Sequence, residues 1–192
     1  MDSSNEWNQL IMEAVNGNHS AFGQIYEETI RDVYRTVHFL IQNKTDLEDI
    51  VQEIYVQLYK SLSTFNVNRP FRPWLMGIVI RQINSYRRKR WMRFRILNRV
   101  TQQLQETDYD FSDELVDRIS NEELFSRIQS LPYKLKQIII LHYLHEYSQE
   151  EVSQILGIPL GTVKSRINSA LKKLRQSQEQ SVYYLGKVGN EK

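Results

Sequence analysis

The sequence predicts an all-α protein in which two small helical domains are joined by an acidic linker. Its 192 residues, 41% of them hydrophobic, are enough to bury a core in each domain. Only seven Gly and four Pro are present, and residues 24–69 and 78–131 contain neither. Because these two residue types mark turns, their scarcity favours helices and argues against an all-β fold.

The composition also limits the cellular compartments and the kinds of site chemistry that are compatible with this chain. The chain has no Cys, which excludes disulfides, thiol nucleophiles and thiolate metal sites. The longest apolar run, residues 74–80, is too short to cross a membrane, and residues 1–6 lack the pattern of a signal peptide. We therefore expect a cytoplasmic protein without membrane insertion.

The net charge is only +2, but the charged residues form three blocks, and one sign of charge dominates each block. Residues 81–99 hold eight bases and no acid, residues 104–123 hold eight acids and one base, and residues 161–175 hold five bases and no acid. Two basic blocks around an acidic one are compatible with two contacts to a polyanion and a tether that the polyanion repels. A solvated helix face remains an alternative for any single block.

Four helices are expected in the first domain, residues 5–97. Apolar residues at helical spacing over residues 7–15 predict a short first helix that Gly17 ends. The same spacing over residues 22–41 predicts a second helix that ends near Asn43.

The third and fourth helices carry clearer end signals. Thr45 and Glu48 have the spacing of a capping box, which would open the third helix. Its inward apolar positions are Leu47, Ile50, Val51, Ile54, Leu58 and Leu62. A loop over residues 63–70 follows, and Pro73, which a first helical turn tolerates, begins a fourth helix that runs into the basic block. We expect Trp74 on this helix to fill the core.

Residues 98–116 form the expected linker, because they have few periodic apolar residues and their aspartates favour turns. The second domain, residues 117–176, is expected to contain four helices, and a polar tail, residues 177–192, would follow it. The four helices are expected near residues 117–130, 133–146, 148–156 and 160–176.

The last two of these helices have a DNA-binding pattern. Ser148 and Glu151 form a second capping box, and Gly157 supplies a sharp turn, so the segment is typical of a helix-turn-helix. The outward face of the last helix consists of Gly161, Thr162, Ser165, Asn168, Ser169 and Lys172, flanked by Lys164, Arg166 and Lys173. Small polar side chains suit base edges and cations suit phosphates, although an ordinary helical hairpin remains an alternative.

Two further surfaces are candidates for partners. Residues 87–95 interleave cations with aromatic rings, as in a groove for single-stranded nucleic acid; duplex backbone or an acidic protein are alternative ligands. On the third helix, polar residues around an outward Val56 face away from the apolar stripe; they are Asp49, Gln52, Glu53, Tyr59 and Lys60. This second face fits either a protein partner or solvent.

Three segments in this order resemble the extracytoplasmic-function (ECF) sigma factors of bacterial RNA polymerase: Asp46–Glu53 (DLEDIVQE), Pro70–Leu75 (PFRPWL) and Gly161–Arg166 (GTVKSR). The resemblance spans residues 5–176. It implies a two-domain initiation factor that catalyses no reaction. Its first domain would bind core polymerase and melt the minus 10 promoter element, while its second would bind the minus 35 element.

The resemblance also implies residue roles. The third helix would dock on the clamp helices of the largest polymerase subunit through Asp46, Glu48, Asp49, Gln52, Glu53 and Val56. The next loop and the basic helix would hold a flipped base and the separated strand through Phe65, Asn66, Asn68, Arg69, Phe71, Arg81, Asn84, Arg87, Arg88 and Arg90. The last helix would bind the minus 35 element through Gly161, Thr162, Lys164, Ser165, Arg166, Asn168, Ser169 and Lys172.

By the same resemblance, the partners are core RNA polymerase, promoter DNA and an anti-sigma factor, with no cofactor, metal or small-molecule substrate. The residues themselves leave two alternative functions open. One is a stand-alone helix-turn-helix regulator, which would need a dimer to read a palindrome. The other is a hydrolase that uses His142, His145 and Glu146 as metal ligands, although their order fits no known zinc motif.

Overall fold

Helices make up the regular structure of the described residues, as the sequence predicts. The structure is a computed structural model that describes residues 3–41, 43–100 and 122–188, and these ranges contain no strand. The chain divides into two units, Met1–Ser112 and Asp113–Lys192. Residues 101–116 of the expected linker lie outside the described residues.

The described residues of the first unit form four α-helices: α1 (Ser3–Val15), α2 (His19–Leu40), α3 (Leu47–Ser61) and α4 (Phe71–Val100). Gly17 adopts φ +91°, which ends α1. The Asn18 side chain then caps α2 by accepting the Ser20 and Ala21 N–H groups. The expected inward face of α3 is confirmed, because all six of its predicted apolar residues are buried. Together α2, α3 and α4 enclose the core of this unit.

The capping box expected at Thr45 is wrong. Residues Lys44–Asp46 form a 3-10 turn, and α3 begins after Asp46 without a side-chain cap. The Thr45 hydroxyl donates to Asn43 Oδ1 at 2.7 Å, a short local bond that competes with capping.

The second unit contains α5 (Glu122–Ser130), α6 (Tyr133–Ile139), α7 (Gln149–Leu156) and α8 (Leu160–Val188). The capping box of Ser148 and Glu151 is confirmed, and Gly157 forms the expected left-handed turn at φ +62°. The core contains fully buried residues from every helix after α5, among them Ile138, Leu141, Val152, Val163 and Ala170.

Two expected helix ends in this unit differ from the structure. The helix expected over residues 133–146 widens into a π-helical turn at Ile140–Leu144, and the chain leaves it through Glu146 at φ +58°. The last helix does not end at residue 176 but continues to Val188, so the first part of the expected polar tail is helical. In the described parts of the chain, no helix is both long and apolar enough to cross a membrane.

Candidate partner and nucleic-acid surfaces

The outward face of α3 is an exposed acidic surface. Glu48, Asp49, Gln52 and Glu53 are all exposed, and Val56 is 39% exposed among them. Helical geometry explains the arrangement, since these positions lie opposite the buried apolar stripe of the same helix. An exposed valine within an acidic face is suited to a protein partner with apolar and basic side chains.

Beside this face, α2 and α3 form an aromatic groove of about 700 Å³. Tyr26 packs on Tyr55 at 4.6 Å between ring centroids, and Phe22 packs edge-on against Tyr59 at 5.0 Å. Burial raises the pKa of the Tyr55 phenol well above its usual range, and its oxygen lies 2.9 Å from Thr29 Oγ1. The phenol therefore remains neutral and serves as a fixed wall of the groove.

Sequence reasoning missed this groove, although a signal for it exists. Aromatic and apolar residues recur every four positions along α2, at Phe22, Tyr26, Ile30 and Tyr34, and all four line the groove. This row lies beside the buried row of α2 that contains Ile25 and Val33. The two rows read in sequence as one broad apolar face.

Asp46 has a different environment from the rest of the predicted polymerase-binding set. Its carboxylate accepts hydrogen bonds from Asn43 Nδ2 at 2.8 Å and from the Tyr86 hydroxyl of α4. Arg90 in turn donates to the Tyr86 oxygen at 3.3 Å. Burial, followed by the hydrogen bond to Asp46, raises the pKa of Tyr86. Asp46 is therefore half-buried and connects the start of α3 to α4, whereas the other acids of the set are exposed.

The loop between α3 and α4 presents a polar tip. Asn66, Asn68 and Arg69 are exposed, as the predicted DNA contacts require. The Arg69 N–H donates to the Asn66 carbonyl at 2.9 Å, and the Asn68 N–H donates to Asn66 Oδ1 at 3.0 Å. These bonds form a turn in which the Asn66 side chain holds the backbone.

Phe71, one of the predicted DNA contacts, is buried beneath the loop. Phe71 is only 4% exposed, since its ring packs against Trp7 at 4.7 Å and against Phe65 at 5.7 Å. Trp74, expected in the core, is half-buried and packs against Phe65 at 4.8 Å. Phe71 thus supports the loop from inside.

The second half of α4 is a basic and aromatic surface. Arg81, Asn84, Arg88 and Arg90 are exposed and Arg87 is half-buried. Trp91 and Phe94 are 56% and 47% exposed, and the Arg95 guanidinium lies 4.6 Å from the Trp91 ring centroid. Exposed rings between cations can stack on unpaired bases while the cations contact phosphates.

On α8 the predicted DNA-binding face points to solvent. Gly161, Lys164, Ser165, Asn168, Ser169 and Lys172 are exposed, and Thr162 and Arg166 are half-buried. Val163, Ile167 and Ala170 are buried on the opposite side. The Ser165 and Ser169 hydroxyls donate to the carbonyls of Thr162 and Ser165 at 3.0 and 2.9 Å, so their oxygens face outward as acceptors.

Of the three residues considered as metal ligands, His142 holds the turn before α7. His142 Nδ1 lies 2.7 Å from the Tyr147 carbonyl, so this nitrogen carries the proton of a hydrogen bond to the backbone. Within the described ranges, no group of three His, Cys, Asp or Glu side chains is arranged to hold a metal.

Comparison with known proteins assigns both units. Residues 25–103 match the family model of Sigma-70 region 2, and residues 121–174 match that of Sigma-70 region 4. The Bacillus subtilis ECF RNA polymerase sigma factor SigW is 30% identical over 174 residues, covering 86% of this chain and 93% of SigW. SigV of the same organism is 30% identical over 145 residues, covering 76% and 83% of the two chains.

Solved structures agree with these matches. CnrH, a sigma factor of Cupriavidus metallidurans solved with the cytosolic domain of CnrY, has a TM-score of 0.66 at 25% identity. The likeness covers 91% of this chain and 98% of CnrH. RpoE of Bartonella quintana, solved with the anti-sigma factor NepR, shares the fold with a TM-score of 0.66 at 20% identity, covering 82% and 96% of the two chains.

Regions 2 and 4 in this order define a two-domain transcription initiation factor of the sigma-70 type. Such factors are regulatory subunits of RNA polymerase, not known enzymes. The chain belongs to the ECF family of RNA polymerase sigma factors. The resemblance carried by the three motifs is confirmed, and the stand-alone regulator is not favoured.

Proposed function

We propose that the first unit binds core polymerase through the acidic face of α3 and holds the minus 10 element with the loop and α4, while α8 binds the minus 35 element. The observation that carries this proposal is the separation of charge between two helices of one unit. Acidic side chains are exposed on α3, and cations and rings are exposed on α4. One unit therefore presents a surface for a basic protein and a surface for a polyanion, and the two meet at a cleft that Glu53 of α3 lines together with Lys89 and Arg90 of α4.

The polymerase contacts that we propose are Glu48, Asp49, Gln52, Glu53 and Val56. They form one continuous exposed face, and Val56 and Gln52 also line the aromatic groove. A helix with basic and apolar side chains could place its cations on the carboxylates and an apolar side chain in the groove. Asp46 supports this face from behind.

At the minus 10 element, we propose that Asn66, Asn68 and Arg69 contact the flipped base, with Phe65 below them. Arg81, Asn84, Arg87, Arg88 and Arg90 would hold the separated strand and the adjacent backbone. Opening DNA costs a few kcal/mol per unstacked step, and capture of a base in a pocket offsets that cost without ATP.

At the minus 35 element, α8 enters the major groove in this proposal. Ser165, Asn168 and Ser169 contact base edges together with Gly161 and Thr162, and Lys164, Arg166 and Lys172 contact phosphates. The capped α7 and the left-handed Gly157 fix the angle at which α8 leaves the turn.

Regulation by an anti-sigma factor is part of the proposal. CnrH was solved bound to the cytosolic domain of CnrY, and this chain shares the fold along almost the whole length of CnrH. An inhibitor of this kind would hold the chain away from polymerase. The protein would work in the cytoplasm, where polymerase and the chromosome are, and would contribute binding rather than catalysis.

The test is charge reversal of Asp49 and Glu53 to Lys. We expect a loss of affinity for core polymerase of about a hundredfold or more, because two carboxylates that face a basic partner become repulsive. Affinity is measured by titration of labelled protein with core enzyme, and thermal unfolding checks the fold.

The matched control reverses two exposed acids of the same unit that lie off α3, Glu6→Lys with Glu27→Lys. This control has the same change in net charge. If both double variants lose equal affinity, overall charge explains the effect and the assignment to α3 fails.

A further inference from the structure

We propose that Trp7 of α1 is a positioning residue that holds the loop of residues 65–70 in the conformation that captures a base. This inference rests on the proposed role of that loop at the minus 10 element. Helix α1 precedes residue 25, where the match to the region 2 family model begins.

A chain of aromatic rings connects α1 to both ends of the loop. The Trp7 ring stacks on Phe71 with centroids 4.7 Å apart and planes inclined by 26°. Phe71 is the first residue of α4, and its ring meets Phe65 edge-on at 5.7 Å. Phe65 begins the loop, so Trp7 supports its start and its end through one buried ring.

Trp7 is itself fixed from the other side. The Arg72 guanidinium lies 5.6 Å from the Trp7 ring centroid and donates to Asp32 of α2 at 2.7 Å. The indole is thereby placed between α2 and the loop. Next to it, Asn8 Nδ2 donates to the Val67 carbonyl at 3.4 Å, a second tie that reaches the tip of the loop.

The tip of this loop is exposed, whereas its ends are held by packed aromatic rings. Asn66, Asn68 and Arg69 face solvent, whereas Phe71 beneath them is 4% exposed. A pocket that distinguishes bases must keep its polar groups in a fixed geometry, because loosely held groups can shift to fit a substituted base. Trp7 acts on the tip through Phe71, on which its ring stacks.

The experiment uses the full chain assembled with core polymerase and a set of promoters that differ at single minus 10 bases. We expect Trp7→Ala to lower the ratio of open-complex formation between the preferred and the substituted base by about tenfold, within the range that one mismatched base commonly costs. Affinity for core polymerase and protection of the minus 35 element are expected to stay within about twofold, as for surfaces that do not share contacts with Trp7.

Two variants make the comparison specific. Trp7→Phe retains a ring for stacking and should restore most of the discrimination. Met12→Ala, on the same helix and 60% exposed, should behave as the wild type. If Trp7→Ala unfolds the first unit, Trp7→Leu carries the test, because it keeps an apolar side chain and removes the ring that stacks on Phe71; it should lower the discrimination in the same way.

The outcomes separate this inference from the function on which it rests. Wild-type discrimination in Trp7→Ala, or an equal loss at every base, would overturn the positioning role. Asn68→Ala and Arg69→Ala test the loop itself. If they leave discrimination unchanged, the proposed function of the loop fails; if they lower it while Trp7→Ala does not, the positioning role alone fails.

Discussion

Asp46 occupies the N-cap position of α3 yet makes no capping bond. Its carboxylate accepts from Asn43 and from Tyr86 of α4 instead. A cap is worth about 1 kcal/mol, and a charge-assisted bond between two helices can replace it. The exposed acids Asp49 and Glu53 consequently stand at a fixed place relative to α4.

Glu146 is a second residue whose conformation matters more than its contacts. It adopts φ +58°, a left-handed conformation that costs a residue with a Cβ atom about 1 kcal/mol or more. It lies between the π-helical turn and α7. The helix-turn-helix therefore begins at a strained position.

We predict that Glu146→Gly stabilises the second unit by about 0.5–1 kcal/mol, because Gly adopts this conformation without the steric cost but loses more entropy on folding. The measurement is hydrogen exchange of the buried Val152 and Val163 amides in the full chain. Glu150→Gly, inside α7, is the control and should destabilise by about 1 kcal/mol. A loss of protection in Glu146→Gly would contradict the strain argument.

At the scale of elements, helix α8 uses one face for packing against the core and the opposite face for the predicted DNA contacts. Val163, Ile167 and Ala170 face the core, and the small polar residues face outward. This division makes two kinds of substitution distinguishable.

Replacing Ser165 or Asn168 by a bulkier residue such as Gln or Arg should change the preferred minus 35 sequence. Lys164→Ala should weaken all sequences alike and lower the salt dependence of binding by about 0.9 of a logarithmic unit. Competition among promoter variants at several salt concentrations measures both effects. Uniform weakening by both kinds of substitution would refute the division into base and phosphate contacts.

The sequence predicts those elements best in which a local pattern and the tertiary contacts agree. The stripe of α3, the cap at Ser148 and the turn at Gly157 are of this kind. The prediction of a cap at Thr45 is wrong because a hydroxyl can bond to several neighbouring groups. The spacing of residues does not show which of these groups it bonds to.

The predicted site shows the same limit. The outward face of α8 follows from helical geometry, so its residues could be named in advance. The burial of Phe71 could not be predicted, because an aromatic residue beside a loop can be exposed or can pack beneath the loop, and only its contact with Trp7 shows which. The π-helical turn at Ile140–Leu144 likewise has no local signature.

At the scale of the whole molecule, each unit carries its own candidate DNA surface, and the acidic partner surface found among the described residues lies on the first unit. Region 2 and region 4 matches fall on the two units separately. A requirement for polymerase follows from this distribution, because each DNA surface is small and is expected to bind weakly when alone.

We predict that the chain together with core polymerase protects two unlike promoter elements from nuclease cleavage, and that the same concentration of chain alone protects neither. Footprints recorded with and without core enzyme provide the measurement. A symmetric footprint formed by the chain alone would instead support a dimeric regulator that reads a palindrome.

Helix α4 begins at Phe71, next to the loop of residues 65–70. It runs without a break through the core to the exposed cations near Arg95. At about 1.5 Å per residue this distance is roughly 36 Å, close to one turn of B-form DNA. A continuous helix keeps this length constant, so the distance between the predicted base-binding loop and the predicted phosphate contacts near Arg95 is fixed by α4. Inserting one helical turn into α4 would move the predicted phosphate contacts along the DNA without changing the base that the loop is predicted to recognise.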